Sequence, residues 1–335
     1  MPPFVSIIVP CYNEQATIHQ LLDAILAQSY PRPQMEIIIA DALSQDKTRE
    51  LINVFHGDHP DLRLRVVDNV RRIIPAALNL AIGQARGQII VRLDAHSQPE
   101  PEYVERCVRA LEAGKGANVG GVWQIRPGGT GWIAESIAAA AAHPLGVGDA
   151  LYRLNPKAGA VDTVPFGAFR RELADQIGGF DETLLANEDY EFNARLRQTG
   201  GVVWLDPEIR SIYFARASLG ELGRQYWRYG YWKWRMLRRH AGTIRWRQAL
   251  PPLFVADLML LVILSIWFAF ARWVVSLEII GYLLVLLAGG ARAALRARKP
   301  FLLLGLPLSI LTMHLSWGSG FLCSLLARPS IQKHG

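Results

Sequence analysis

Beyond residue 250 the chain is dominated by three long apolar runs. Leu253 to Ala271 is interrupted only by Asp257, Trp273 to Gly290 only by Glu278, and Phe301 to Ala327 contains His314 as its one ionisable group. About 20 apolar residues are needed to cross a bilayer, so this part of the chain is built for lipid. The expectation is three spans, at about 253–271, 273–290 and 301–327, with a tight turn at Arg272. The first two runs sit near the lower length limit, which leaves a re-entrant hairpin open as an alternative. Gly305, Pro307, Gly318 and Gly320 point to a break in the third.

Cations give the orientation. Arg235, Arg238, Arg239, Arg245 and Arg247 precede the first run, and Arg292, Arg296, Arg298 and Lys299 separate the second from the third, whereas the first turn carries Arg272 alone. By the positive-inside rule the residues before 250 belong on the cytoplasmic face of an inner membrane. The start, Met1-Pro2-Pro3, has no basic n-region, which predicts no export of the N-terminus. Just before the spans, Tyr226, Trp227, Tyr229, Tyr231, Trp232 and Trp234 interleave with Arg224, Arg228, Lys233 and Arg235. That mixture suits a headgroup layer, so residues 221–250 are expected to lie at the membrane surface and bring a neighbouring cleft to it.

The 335 residues suggest two units. Half the chain is apolar and 19% is charged, which excludes disorder. Residues 1–223 carry 21 Lys and Arg against 27 Asp and Glu, while residues 224–249 carry eight cations and no acid. A basic stretch placed directly before apolar spans indicates a membrane and not a nucleic acid. Cys11, Cys107 and Cys323 form neither a disulfide framework nor a zinc knuckle.

Residues 1–220 alternate strand and helix periods. Phe4 to Val9, Met35 to Ala40 and Gln88 to Leu93 are nearly continuous apolar strands, and Ala16 to Gln28 and Pro75 to Ala85 have helical spacing. Such strands imply an α/β fold with a mostly parallel, Rossmann-like sheet covered on both faces. Ligands bind such sheets at the carboxyl ends of the strands. Those ends carry Pro10-Cys11-Tyr12-Asn13-Glu14, then Asp41 to Thr48, then Asp94-Ala95-His96. No GxGxxG or Walker loop is present.

In extended backbone, residues two apart face the same way, so Asp94 and His96 would converge with room for one divalent cation, with Arg92 on the same side. A structural Asp–His hydrogen bond explains the same pair equally well. Further on, Gly178 to Asp181 reads as a turn, and Asn187-Glu188-Asp189 opens a helix with Asn187 as its N-cap. The acids there serve either as dipole complements or as a general base.

Taken in order, these pieces resemble the family 2 glycosyltransferases, which have the GT-A fold. Val9 to Glu14 is similar to that family's VPxYNE opening and Asp41 to Thr48 to its DxxSxDxT. Leu93 to His96 stands at its DxD, Gly179-Phe180-Asp181 and Glu188-Asp189 match its GGFDE and ED, and Gln225 to Tyr229 resembles its QxxRW. Asp94-Ala95-His96-Ser97, His143 to Gly148 and Val161 to Arg171 look like the succinoglycan-type exopolysaccharide glucosyltransferases, which also carry C-terminal membrane helices.

The resemblance implies an inverting transfer of glucose from a UDP-linked donor to a polyprenyl-diphosphate-linked saccharide at the cytoplasmic membrane face. Asp94 and His96 would hold Mn²⁺ or Mg²⁺, and Asp189 would be the base with Glu188 beside it. Pro10, Tyr12, Glu14 and Asp41 would line the nucleotide pocket, Gln225 and Arg228 would meet the diphosphate, and Phe166, Gly167 and Ala168 would lie near sugar and acceptor. His96 replaces the usual carboxylate and favours Mn²⁺ over Mg²⁺. Tyr229 replaces the motif's Trp, which implies single addition rather than processive synthesis. Alternatives are an inactive membrane scaffold keeping the fold, a sugar-phosphate nucleotidyltransferase, and a transporter using Asp257 and Glu278.

Overall fold

The computed structural model describes residues 1–154, 156–240 and 244–327. In chain order the strands are β1 Val5–Cys11, β2 Met35–Asp41, β3 Arg63–Asp68, β4 Ile89–Arg92, β5 Gln98–Pro99, β6 Asn118–Pro127, β7 Gly159–Ala160, β8 Ala168–Arg170 and β9 Val203–Ala215. The helices are α1 Ile18–Leu26, α2 Thr48–Asp58, α3 Ile74–Gln84, α4 Tyr103–Glu112, α5 Trp132–Ala141, α6 Pro144–Val147, α7 Arg171–Ile177, α8 Glu188–Gln198, α9 Leu219–Leu237, α10 Trp246–Leu264, α11 Ala269–Ala297 and α12 Leu302–Leu326.

The strands run β3-β2-β1-β4-β8-β6-β9-β5, with β7 paired to β9. The first four are parallel, and β8 then pairs antiparallel with both β4 and β6. Two-sided burial explains the unbroken apolar runs. Val5, Ile7 and Val9 of β1 join Ile37 and Ile39 of β2 and the α1 side chains Ile18, Leu21, Leu22 and Ile25 in one core. Ile8, Ile38 and Ile90 point the other way, into a second core with Leu78 of α3 and Phe192 of α8. Each such side chain contributes about 1.5–3 kcal/mol by burial, so both faces of the sheet are fixed.

The chain divides into two compact units. One comprises Met1–Gln124 and Leu151–Tyr213, and the other Ile125–Ala150 with the residues from Phe214 onward. Thus 125–150, expected inside the front domain, clusters with the apolar helices. Within that unit α12 touches α5 through Gly305, whose added Cβ would lie 2.0 Å from Ser136 Oγ. Lys299 donates to Glu135 at 2.5 Å, and Arg247 pairs with Asp149.

Among the described residues three helices are long and apolar enough to cross a membrane: α10, α11 and α12. Their bounds differ from the sequence expectation. The first turn falls at Ser265 to Phe268, not at Arg272, which lies on the first turn of α11. Arg272 reaches back and donates to the carbonyls of Ser265 at 2.7 Å and Ile266 at 3.3 Å, satisfying groups that the end of α10 leaves open. Arg292 and Arg296 belong to α11 itself, which ends in Arg298 at φ 54°. The expected break in the third run is absent, because Leu302–Leu326 is one helix with Pro307 inside it. Its glycines are contact points: an added Cβ on Gly320 would meet the Trp227 carbonyl oxygen at 2.1 Å, and one on Gly230 of α9 the Trp317 carbonyl oxygen at 2.1 Å.

The aromatic-basic stretch forms α9, entered through Ser218, whose side chain accepts from the Glu221 N–H. Leu222, Tyr226, Gly230, Lys233 and Met236 form its buried face. Arg224, Trp227 and Arg228 are exposed, and the buried face packs on α12 through Gly230 and Gly320. Residues 241–243 of the expected 221–250 segment lie outside the described residues, as do 328–330 of the expected membrane domain.

Candidate active site

The loops after β1 and β2 are stitched together by their own polar side chains. Asn13 Oδ1 accepts from the Gln45 N–H at 2.8 Å while the Asn13 N–H donates to Ser44 Oγ at 2.9 Å. The Glu14 N–H donates to Thr48 Oγ1 at 2.8 Å, and the Gln15 N–H to Asp46 Oδ2 at 3.1 Å. Asn13 and Leu43 both hold positive φ, 52° and 59°, a strained conformation that persists where surrounding bonds enforce it. Asp41 has a fully buried side chain and accepts from the Ser44 N–H at 3.0 Å, Ser44 Oγ at 2.5 Å and Arg49 Nε at 2.5 Å. It therefore sits beneath the loop as its anchor, while Tyr12, 47% exposed, presents a ring to solvent.

At the end of β4 the backbone does not stay extended. Asp94 to Ser97 is a turn, with the Ser97 N–H and Oγ both donating to the Asp94 carbonyl at 2.9 and 2.7 Å. The argument from extended register for Asp94 and His96 converging does not apply. Instead Asp94 Oδ1 takes hydrogen bonds from Arg92 at 3.2 and 3.4 Å, and His96 Nδ1 lies 3.0 Å from Glu14 Oε1. That second contact joins a nucleotide-pocket candidate to a metal-site candidate.

Asp94 is 26% exposed, and among the described residues nothing hydrogen-bonds its second oxygen. Among the described residues, too, no three His, Cys, Asp or Glu side chains are disposed around one point as metal ligands. A carboxylate and an imidazole are donors that a divalent ion would accept if it took its remaining ligands from a diphosphate, the usual manner of Mg²⁺ and Mn²⁺ at such substrates.

The acids at the start of α8 divide by their partners. Glu191 is 1% exposed and paired with Arg195 at 2.5 Å, and Arg195 also holds the Gly178 and Gly179 carbonyls. Glu191 is thus an anchor for the preceding loop. Glu188 accepts from Arg92 Nη2 at 2.9 Å. Asp189 is half-buried, and burial and the neighbouring Glu188 charge push its carboxyl up to about 6. Asn187 stands at the expected N-cap position, in the left-handed region at φ 64° and without a side-chain cap bond.

Phe166 and Gly167 also have positive φ, 61° and 89°. They form an elbow beside the β4 end, where the Arg92 N–H donates to the Gly167 carbonyl at 3.0 Å and Ala168 pairs with Val91. The first unit therefore gathers Tyr12, Glu14, Asp94, His96, Phe166, Gly167, Ala168, Glu188 and Asp189 around the carboxyl edge of its parallel strands, with Pro10 inside β1. Gln225 and Arg228 lie on α9 of the second unit, where Gln225 donates to the Tyr229 hydroxyl at 3.0 Å. Two contributors were not assigned from sequence: Arg49, which anchors Asp41, and Arg92, whose signal is a charge inside the apolar run Ile89-Ile90-Val91-Arg92-Leu93.

A parallel half-sheet with an antiparallel extension and acidic groups gathered at its carboxyl edge is the layout of the GT-A fold, followed here by apolar C-terminal helices long enough to cross a membrane. The solved mannosyltransferase PcManGT of Pyrobaculum calidifontis, bound to GDP-Man and Mn²⁺, shares the fold with a TM-score of 0.64 at 21% identity, over 97% of this chain and 88% of that one. The chain belongs to glycosyl transferase family 2, whose family model matches residues 6–178. Among curated relatives, the succinoglycan biosynthesis protein ExoA of Rhizobium meliloti is 29% identical over 96% of this chain and 94% of its own. The dolichyl N-acetyl-alpha-D-glucosaminyl phosphate 3-beta-D-2,3-diacetamido-2,3-dideoxy-beta-D-glucuronosyltransferase of Methanococcus voltae is 28% identical over 98% of this chain and 99% of its own.

Proposed function

We propose that this glycosyltransferase moves one sugar, glucose, with inversion from a UDP-linked donor to a lipid-linked saccharide at the cytoplasmic membrane face, in exopolysaccharide or cell-surface glycan synthesis. The observation that carries the reading is the gathering of Asp94, Glu188 and Asp189 around the Arg92 guanidinium at the strand ends, with Glu188 at 2.9 Å and Asp94 at 3.2 Å from it and the Asp189 carboxyl pushed up to about 6. A base of that kind, near neutrality, removes a hydroxyl proton efficiently. The acceptor oxygen gives its proton to Asp189 and attacks the anomeric carbon opposite the diphosphate, and the bond from that carbon to the diphosphate oxygen breaks. Glu188 orients the acceptor, and Phe166 to Ala168 wall the sugar.

Asp94 and His96 would hold the divalent ion, which when bound would neutralise charge on the leaving diphosphate. Gln225 and Arg228 meet the phosphates, and Tyr12, Glu14 and the Asp41-anchored loop receive the nucleoside. A lipid-linked acceptor is supported by the name of the Methanococcus relative, and exopolysaccharide synthesis by that of the Rhizobium one. The cytoplasmic assignment rests on Arg245 and Arg247 at the start of α10 and Arg292, Arg296, Arg298 and Lys299 at the end of α11, against Arg272 alone at the start of α11.

The pH dependence tests the base. Asp189 acts when ionised, so kcat/KM should rise with pH through an acid limb near pH 6 and level off above it. Glu188→Gln removes the like charge beside Asp189 and should move that limb to lower pH. A limb that stays in place in Glu188→Gln, or no acid limb at all, contradicts the assignment.

A further inference from the structure

An arginine inside an apolar, fully buried strand calls for an explanation, because a buried charge is costly unless paired. All four residues of β4 are buried, and the Arg92 side chain is 5% exposed. One of its nitrogens, Nη2, donates to both Glu188 Oε1 at 2.9 Å and Asp94 Oδ1 at 3.2 Å. Its Nη1 has no hydrogen-bond partner among the described residues. Its guanidinium carbon lies 5.9 Å from the Phe180 ring centre, and its backbone holds the Gly167 elbow. Three carboxylates, of Asp94, Glu188 and Asp189, thus act on a single guanidinium.

We propose that Arg92 is a positioning residue that ties the metal-side carboxylate Asp94 to the acceptor-side pair Glu188–Asp189 and competes with the divalent ion for Asp94. The proposal rests on the reading above of Asp94 as a metal ligand and Glu188–Asp189 as the acceptor-side acids. Glu188 and Asp189 are adjacent on the first turn of α8, so fixing one fixes the other. The Arg92 guanidinium sits on the Asp94 carboxylate, so it would weaken binding of a cation to that carboxylate while it holds the acids in place. The two roles have opposite consequences when Arg92 is removed.

The test uses the full chain in detergent, with thermal melts recorded for every variant. Arg92→Met is expected to bind Mn²⁺ alone, followed by electron paramagnetic resonance, about tenfold more tightly than the native protein, because a cation next to the ligand is gone. Its kcat should fall about 100-fold, the effect of displacing a catalytic group by an ångström, with donor KM changed less than about threefold. Arg92→Lys keeps the charge and should return Mn²⁺ affinity to the native value while kcat stays depressed. In a Glu188→Gln background Arg92→Met should cost little more, since both changes undo the same contact.

A merely structural arginine would give weaker or unchanged Mn²⁺ binding in Arg92→Met, and that result overturns the proposal. Independent, multiplicative losses in the double variant overturn it as well. If the native chain binds no Mn²⁺, the metal reading falls and the coupling between Arg92 and Glu188 decides by itself. Should Arg92→Met fail to accumulate folded, Arg92→Lys carries the same double-variant comparison.

Discussion

Asp189→Asn should keep UDP binding within about twofold of the native value and reduce sugar transfer by about 10³-fold, within the range that a general base supplies. The substitution is nearly isosteric. The amide oxygen can still accept the Tyr190 N–H that Asp189 Oδ1 accepts at 2.7 Å, so the first turn of α8 keeps its shape. What is lost is the capacity to take a proton. Glu188 remains beside it but is committed to Arg92, so it does not replace the base. Titration of UDP and measured UDP release, on the same preparation, separate binding from chemistry. Turnover within tenfold of native in Asp189→Asn would falsify the base assignment, and lost UDP binding would move Asp189 to the donor side.

Gly230→Ala should sharply destabilise the second unit, whereas Gly281→Ala should be neutral or slightly stabilising. In an isolated helix both changes gain about 1 kcal/mol of propensity. Their surroundings decide the sign. A Cβ on Gly230 would sit 2.1 Å from the Trp317 carbonyl oxygen and 3.0 Å from its carbon, backbone atoms that cannot rotate away, while nothing lies within 4 Å of a Cβ on Gly281. Small residues let helices approach this closely in membranes, and overpacking such a contact costs about 1–3 kcal/mol or more. Melting temperatures in detergent check the pair. Equal melting of the two variants would mean that α9 and α12 do not pack through this glycine.

The carboxyl edge of the sheet was legible because β1, β2 and β4 are short apolar runs followed at once by polar residues, a pattern that one fold class explains. The acids of α8 were legible as candidates, and Glu191 was separated from them only by its buried contact with Arg195, which spacing does not encode. Asp94-Ala95-His96 reads as extended because a turn that starts two residues beyond a strand's end has the same letters as a longer strand. The break expected in the third apolar run came from giving Gly and Pro their usual meaning in water. Packed helices use glycine for contact, and Pro307 is tolerated within the turn it occupies. Residues 125–150 carry an alanine-rich helix whose letters would equally suit a core helix, and its docking on α12 depends on Gly305 meeting Ser136, which no local pattern announces. Arg92 was visible as a charge at the end of an apolar run, but Glu188, its second partner after Asp94, lies 96 residues away in sequence.

The most direct test of the account is incorporation of label from UDP-[¹⁴C]glucose into the solvent-extractable lipid of membranes containing the native chain, beside membranes containing Asp189→Asn. The account predicts lipid-borne label with the native chain and background counts with the variant. Label that stays in the aqueous donor with the native chain, or that enters lipid equally with both, contradicts it.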